Sequence, residues 1–144
     1  NLNGYVADST RIFSIGTLKK TLMRAHGVML EVQDKLLRLG VPGAKAEDLY
    51  GAALEIVERA GLSKGFMGIP KGVPFVGHGI GLELDEWPVI GKGAKTRLEE
   101  GMVIAVEPKV VFPGEGVVGI ENTVVVTSTG LKKLTRYPDA VKIC

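Results

Sequence analysis

Val73-Pro-Phe-Val-Gly-His-Gly-Ile-Gly-Leu82 is the stretch that decides how this chain is interpreted, because it places His78 between glycines in an otherwise apolar run. The chain contains only 2 histidines, so this placement calls for a specific reason. Glycine has no Cβ and lets the backbone approach closely or adopt a positive φ. A histidine framed in this way can point its ring into a confined site. On this motif alone two interpretations stay open: a metal ligand or acid/base group, and a core histidine hydrogen-bonded to backbone.

Size and composition predict one globular domain, residues 1–144, with a sizeable core, since 45% of the residues are hydrophobic. The formal net charge is +2 with scattered basic residues, which predicts no nucleic-acid-binding surface. No uncharged apolar stretch approaches the roughly 18 residues of a membrane span, so no membrane partner is expected. Cys144 is the single cysteine, which excludes an internal disulfide and fits a reducing, cytoplasmic location.

The first residue is Asn1 rather than methionine, and no signal-like segment follows it. We therefore expect the chain to be the C-terminal part of a longer protein. The missing leader then carries little information about where the protein is located.

Two helices are predicted. Apolar residues from Leu18 to Leu39 recur at alternate spacings of four and three, which forms one apolar stripe that should end at Gly40. A second helix is expected over about 47–60, with Gly61 as its stop. His26 lies beside the stripe of the first helix, so we expect a surface or half-buried residue without a function.

Strands account for most of the remaining chain. The first thirteen residues are interpreted as strand, turn or bulge, and strand, and 65–74 as a loop rich in glycine and proline. Pro113-Gly-Glu-Gly116 is a turn signal that predicts a hairpin. The further predicted strands cover 73–76, 102–106, 110–112 and 117–127. The predicted class is α+β, an antiparallel sheet covered by two helices on one face.

Three carboxylates lie in strand-like surroundings: Asp8, Glu107 and Glu121. A carboxylate in an apolar strand is costly to bury unless a cation or several donors compensate it. One of them could form an ion pair with Arg11 or Lys109. Three of them, together with a histidine framed by glycines, are better explained by a shared cation.

Strand alternation predicts that Glu121, Thr123 and Val125 share one face, so the Thr123 hydroxyl is expected to support the Glu121 ligand. Oxygen donors combined with one imidazole suit Mn²⁺, Fe²⁺, Co²⁺ or Zn²⁺. Shared carboxylates also allow a two-metal centre that activates a bridging water.

The whole chain resembles a known family through motifs in the same order and at the same spacing. These are Gly4–Phe13, Gly77–Gly81, Gly101–Pro108 and Ile120–Thr123. They look like the catalytic domain of the pita-bread metallopeptidases, which include Xaa-Pro dipeptidases and aminopeptidases, methionine aminopeptidases and creatinase. The resemblance implies the pita-bread fold, incomplete at its N-terminus.

The resemblance also implies roles for individual residues. Asp8, His78, Glu107 and Glu121 would be metal ligands, with Asp8 and Glu121 bridging two ions and Glu107 acting as general base. His78 and Asp85 join Glu107 as expected catalytic-site residues. The implied reaction removes an N-terminal residue from a peptide substrate. The sequence Gly79-Ile-Gly-Leu-Glu83 resembles the Xaa-Pro branch of the family. The formation of a homodimer is left open.

The chain departs from the family pattern in three ways. One further aspartate ligand would lie about eleven residues before Asp8, which is upstream of Asn1. Asp85 stands where the family commonly has a substrate-contacting histidine, and Pro74 where a histidine often precedes the Gly-His-Gly. An ionised carboxylate cannot donate a hydrogen bond to a substrate carbonyl. We therefore expect the chain alone to be weakly active or inactive.

Two alternatives remain beside the peptidase hypothesis. The chain could be an impaired pita-bread module that binds a peptide or protein partner, or a creatinase-like hydrolase of a non-peptide carbon–nitrogen bond. Four retained ligand positions favour an enzyme, since a binding module has no need of costly buried carboxylates. Asp85 and the absent upstream ligand argue for the alternatives.

Overall fold

The computed structural model describes residues 2–144, and Asn1 lies outside the described part. Helix α1 spans Lys20–Leu39, helix α2 spans Ala46–Arg59, and a short 3-10 helix at Ser63–Gly65 follows. The strands are β1 (Ser9–Thr10), β2 (Phe13–Ser14), β3 (Phe75–Gly79), β4 (Glu86–Gly91), β5 (Val103–Val106), β6 (Lys109–Phe112), β7 (Gly116–Gly119), β8 (Glu121–Thr127), β9 (Gly130–Lys133) and β10 (Lys142–Ile143).

The main sheet has the strand order β1-β8-β5-β3-β4, and β9 pairs with β8 beyond the end of β1. Every pairing in this sheet is antiparallel. Two small sheets, β6–β7 and β2–β10, lie apart from it. The predicted α+β class, an antiparallel sheet with two helices, is confirmed.

The two faces of strand β8 have different surroundings. Val124 and Val126 are fully buried and join the apolar side chains of the helices in one core. Ile104 on β5 lies opposite Val124 and belongs to the same core. Because side chains alternate along a strand, Glu121 and Thr123 point away from the helices. The open face of the sheet therefore carries Glu121 and Thr123.

The predicted helices are confirmed, with α2 beginning and ending one residue earlier than expected. Met29 and Leu36 on the stripe of α1 are fully buried. The Gly40 amide donates to the Leu36 carbonyl and ends the helix, and a Cβ at Gly40 would overlap the side chain of Leu131. Gly61 follows α2 with a φ of +71°. Across residues 2–144, neither helix has an apolar run suited to crossing a bilayer.

The expectation that His26 is a surface or half-buried residue is wrong, because the residue is only 3% exposed. Its Nε2 atom has no hydrogen-bond partner among the described residues. Burial lowers the pKa of His26, with Arg11 adding to the effect and Asp139 opposing it. His26 lies three residues before Met29, so it shares the buried stripe.

The strand predictions need three corrections. The predicted strand 117–127 divides at Ile120, whose amide donates to the Pro108 carbonyl as the chain passes from β7 to β8. The expected hairpin is confirmed as β6–β7. The sequence does not predict strand β4, because the proline in Trp87-Pro88 resembles a break in regular structure. The first strand begins only at Ser9, because positive φ angles at Asn3 and Gly4 form a turn instead.

Two glycine substitutions should have opposite effects on the free energy of unfolding. Gly79→Ala should lower it by about 2 kcal/mol or more, because the new Cβ would overlap the main-chain oxygen of Trp87. Gly27→Ala should raise it by about 0.5–1 kcal/mol, since Gly27 lies exposed within α1 with open space around it. Urea denaturation measures both. A Gly79→Ala protein as stable as the wild type would contradict the close approach of β3 and β4.

Candidate metal centre

Asp8, His78 and Glu121 each offer one ligand atom, and these atoms all lie within 4.8 Å of one another. Asp8 directly precedes β1, His78 lies in β3 and Glu121 begins β8. The three residues are far apart in sequence, and the strand order β1-β8-β5-β3, in which β5 lies between β8 and β3, brings them together. Their arrangement can hold a metal ion on the open face of the sheet.

Glu107 lies at the edge of this triad. Its Oε1 atom is 3.7 Å from His78 Nε2, and its Oε2 atom contacts the Lys109 ammonium group. The Glu107 side chain is buried. The structure thus brings the four sequence-predicted ligand residues into one neighbourhood, with Glu107 outside the tightest group.

The His78 ring is oriented by acceptors at its Nδ1 atom. Nδ1 lies 3.0 Å from the Gly79 carbonyl oxygen and 3.3 Å from Asp85 Oδ1. Two acceptors at Nδ1 favour the tautomer that carries its hydrogen there, which leaves the Nε2 lone pair facing Glu107. Asp85 therefore lies beside His78, with its side chain 73% exposed to solvent.

Glu121 is buried, and the Thr10 hydroxyl donates to its Oε2 atom at 2.6 Å. Burial raises the pKa of Glu121, and the carboxylates of Asp8 and Glu107 raise it further. Thr10 and Lys109 oppose this rise in pKa without cancelling it. The neighbouring cations of the protein therefore compensate this buried carboxylate incompletely, which is the electrostatic environment a divalent cation would relieve.

Thr123 does not support Glu121 as expected. Its Oγ1 atom accepts a hydrogen bond from the Asp8 amide at 2.8 Å and donates to the Asp8 carbonyl at 2.9 Å. It is Thr10 that bonds the Glu121 carboxylate. Thr10 thus supports Glu121 and Thr123 supports Asp8, because β1 and β8 pair side by side.

Arg11, a possible ion-pair partner of a site carboxylate in the sequence, has a different role in the structure. Its Nη1 atom donates to the carbonyl oxygens of Thr10 at 2.8 Å and Glu121 at 2.6 Å. Its Nη2 atom donates to Asn122 Oδ1 at 2.7 Å and forms an ion pair with Asp139 at 3.2 Å. Arg11 therefore clamps the main chain of β1 to β8 and does not neutralise a carboxylate of the site.

Behind this clamp lies a buried polar network on the helix side of the sheet. Asn122 donates to Gln33 Oε1 at 2.6 Å, and Gln33 donates to Asp139 Oδ2 at 3.0 Å. Burial by itself raises the pKa of Asp139, but hydrogen bonds from Lys133, Asn122 and Gln33 outweigh it and hold that pKa below its ordinary value. The feature of the sequence that could have indicated this network is Gln33, a polar residue on the apolar stripe of α1.

A cavity of about 630 Å³ begins next to the triad, since Ala7 and Thr123 line it. Its other walls are largely apolar and include Ile80, Leu82 and Trp87. A second cavity of about 430 Å³ lies at Asp85 and the Nδ1 side of His78. The candidate centre therefore lies beside space that can accept a ligand with apolar groups.

Comparison with known proteins identifies the family of this chain. The profile of metallopeptidase family M24 matches residues 1–128. The Xaa-Pro dipeptidase of Pyrococcus furiosus is 37% identical over 134 residues, which is 93% of this chain and 37% of that protein. The Xaa-Pro dipeptidase of Lactobacillus helveticus is 35% identical over 141 residues, 98% of this chain and 37% of that protein.

The fold comparison gives the same class. The crystal structure of X-Pro aminopeptidase from Thermotoga maritima superposes with a TM-score of 0.89 at 31% identity, over 98% of this chain and 38% of that one. The architecture is thus the pita-bread fold of the Xaa-Pro peptidases. The chain belongs to metallopeptidase family M24. It spans a little over a third of the length of the relatives it matches.

Acid sensitivity should depend on Asp139. Its pKa is lowered in the folded state, so its stabilising contribution is complete above the ordinary aspartate pKa of about 3.9 and is lost as the pH falls through the lowered value. Asp139→Asn should lower the free energy of unfolding by about 1–2 kcal/mol at pH 7. Below about pH 4 the variant should lose less further stability than the wild type does. Urea unfolding between pH 7 and pH 3 measures this. Asp34→Asn on the exposed side of α1 is the control, and an equal response of the two variants would contradict the role of the network.

Proposed function

We propose that this chain is the metal-holding catalytic part of an Xaa-Pro-type metallopeptidase that removes an N-terminal residue from peptides. The observation that carries the proposal is the convergence of Asp8, His78 and Glu121 within 4.8 Å. Membership of family M24 and relatives described as Xaa-Pro dipeptidases support it. The cavity beside the triad supports a peptide as the substrate.

The residues fit a divalent metal on their own chemistry. Two carboxylates and one imidazole are ligands that bind Mn²⁺, Fe²⁺, Co²⁺ and Zn²⁺. Burial, together with the carboxylates of Asp8 and Glu107, raises the pKa of Glu121, so a bound cation would stabilise its ionised form. When bound, such an ion lowers the pKa of a water molecule and polarises the substrate carbonyl.

Each residue then has a defined task. Asp8, His78 through Nε2, and Glu121 hold the ion, while Thr10 fixes one oxygen of Glu121. Glu107 is the proposed general base, because its buried carboxylate lies 3.7 Å from His78 Nε2 and can take a proton from a water at the centre. The apolar walls next to the triad would exclude bulk water and orient the peptide.

In the whole protein we propose a second ion, which Asp8 and Glu121 would help to hold. The resemblance implies one further aspartate ligand for that ion. Use of manganese, a cytoplasmic location and homodimer formation stay predictions.

Titration calorimetry with Mn²⁺ or Co²⁺ tests the centre directly. Glu121→Gln should weaken binding by more than the roughly 10–100-fold loss that follows removal of a supporting hydrogen-bond partner. Glu55→Gln, an exposed position on α2, is the matched control and should bind as the wild type does.

The outcome separates the proposed function from its main alternative. A natural protein that binds the ion and cleaves Xaa-Pro peptides supports the peptidase. A folded protein that binds no ion would overturn it and favour a module that binds a partner through the same cavity.

Asp85 should influence substrate turnover. Because a carboxylate cannot donate to a substrate carbonyl as imidazole can, Asp85→His in the natural protein should raise kcat for Xaa-Pro peptides by at least about tenfold. Asp48→His on the exposed side of α2 controls for the added imidazole. Unchanged kcat and KM would show that position 85 does not touch substrate.

A further inference from the structure

The cavity of about 430 Å³ at Asp85 has walls whose chemistry the proposed function leaves unexplained. Phe75 and Trp87 supply aromatic rings, and Asp85 and Glu86 supply carboxylates. His78 also lines this space, so it adjoins the candidate metal centre. We call it the aromatic–acidic cavity. An organic cation suits such walls, because carboxylates and the faces of aromatic rings both attract positive charge.

Strand register positions the walls of the aromatic–acidic cavity. His78 on β3 pairs with Val89 on β4. Because side chains alternate along a strand, Trp87 shares the face of Val89, and both line the cavity. Asp85 Oδ1 lies 3.3 Å from His78 Nδ1, and the Phe75 ring meets the His78 ring edge to face at a centroid distance of 6.4 Å. The aromatic and acidic groups are therefore held around one buried histidine ring.

The two carboxylates of the cavity retain capacity for a cationic ligand. Among residues 2–144, no lysine or arginine forms an ion pair with Asp85 or Glu86. Glu86 Oε1 accepts a hydrogen bond from the Glu83 amide at 2.7 Å. An ionised carboxylate has two acceptor oxygens, so one such contact leaves it able to accept further donors. Two carboxylates beside aromatic rings offer few oxygen ligands to a hard metal ion, which favours an organic cation.

Glu86 and Trp87 form a wall that two cavities share. Both residues line the aromatic–acidic cavity and also the cavity of about 630 Å³ beside the triad. Gly81 leaves room for this wall, since a Cβ there would lie 3.0 Å from Glu86 Oε2 and 3.1 Å from Oε1. A side chain at position 81 would therefore displace the carboxylate. A substrate in the larger cavity thus borders the aromatic–acidic cavity directly.

The position of the aromatic–acidic cavity determines which part of a peptide could enter it. A metal ion on His78 Nε2 and the cavity at Nδ1 lie on opposite sides of one imidazole ring. The α-ammonium group of the first peptide residue is close to its carbonyl carbon, so it stays at the metal centre when that carbonyl is bound there. A lysine side chain carries its ammonium group on a flexible four-carbon stem and can reach past the ring.

We propose that the aromatic–acidic cavity is a subsite for a basic side chain of the substrate, with Asp85 and Trp87 as its specificity-determining residues. Asp85 pairs with the ammonium or guanidinium group, and Trp87 contacts the same charge through its ring face. In an Xaa-Pro peptide the variable residue is the first one. The substrate class is therefore peptides that begin with lysine or arginine followed by proline. The inference rests on the proposed function.

Lys-Pro and norleucine-Pro test the subsite, because norleucine has the stem of lysine without its charge. The Mn²⁺-loaded natural protein should have a kcat/KM about five- to tenfold higher for Lys-Pro. An exposed ion pair and an exposed cation–π contact each contribute up to about fivefold. Asp85→Asn should lower this preference by at least about threefold, and Trp87→Leu should also weaken it. The preference should fall as the salt concentration rises.

Glu83→Gln is the matched control, because Glu83 is an exposed carboxylate of the same β3–β4 connection that does not line the cavity. This variant should keep the preference of the wild type. Equal kcat/KM values of the wild type for the two dipeptides would overturn the subsite. An equal loss of preference in Glu83→Gln and Asp85→Asn would overturn it as well. Urea unfolding of each variant shows that folded proteins are compared.

Binding measurements separate failure of this inference from failure of the proposed function. The probes are Lys-Pro and norleucine-Pro with the scissile amide reduced to an amine, titrated into the same Mn²⁺-loaded protein. A protein that cleaves both dipeptides and binds both probes without a preference overturns only the subsite. A protein that binds the lysine probe more tightly, loses this difference in Asp85→Asn and cleaves neither dipeptide supports the subsite and overturns the peptidase.

Discussion

The candidate site depends on the pairing of β1 with β8, which brings Asp8 close to Glu121. The pairing consists of only two residue pairs, Ser9 with Asn122 and Thr10 with Glu121. So short a pairing contributes little stability of its own. Side-chain contacts add to it: Arg11 bonds the main chain of both strands, and Thr123 exchanges two hydrogen bonds with the main chain of Asp8. The separation between Asp8 and Glu121 is therefore set by polar contacts around the strands as much as by the ladder itself.

Strand β8 carries polar residues on both faces, and each face uses them differently. On the helix side, Asn122 is satisfied within the protein by Gln33, Asp139 and Arg11. On the open side, burial raises the pKa of Glu121 and two nearby carboxylates raise it further, while the hydroxyl donor Thr10 and Lys109 oppose the rise. A satisfied network stabilises one arrangement of the chain, whereas a carboxylate cluster short of positive charge is a place where a cation can bind.

Two charged side chains lie next to the proposed ligand residues. Asp85, where the resemblance implies a substrate-contacting histidine, lies beside His78 Nδ1. Lys109 contacts Glu107. Charged neighbours of this kind can change the selectivity of a site without changing its ligands.

The sequence by itself determined the class, both helices, the β6–β7 hairpin and the family, because periodicity, turn residues and motif spacing are local properties of the chain. It also singled out Asp8, His78, Glu107 and Glu121 as residues whose placement needed an explanation. Only the tertiary structure decided that Thr10 rather than Thr123 bonds Glu121 and that Arg11 clamps the main chain. These facts follow from strand register and from contacts between distant segments, in which a change of one position reverses the face of every side chain. No local pattern encodes them.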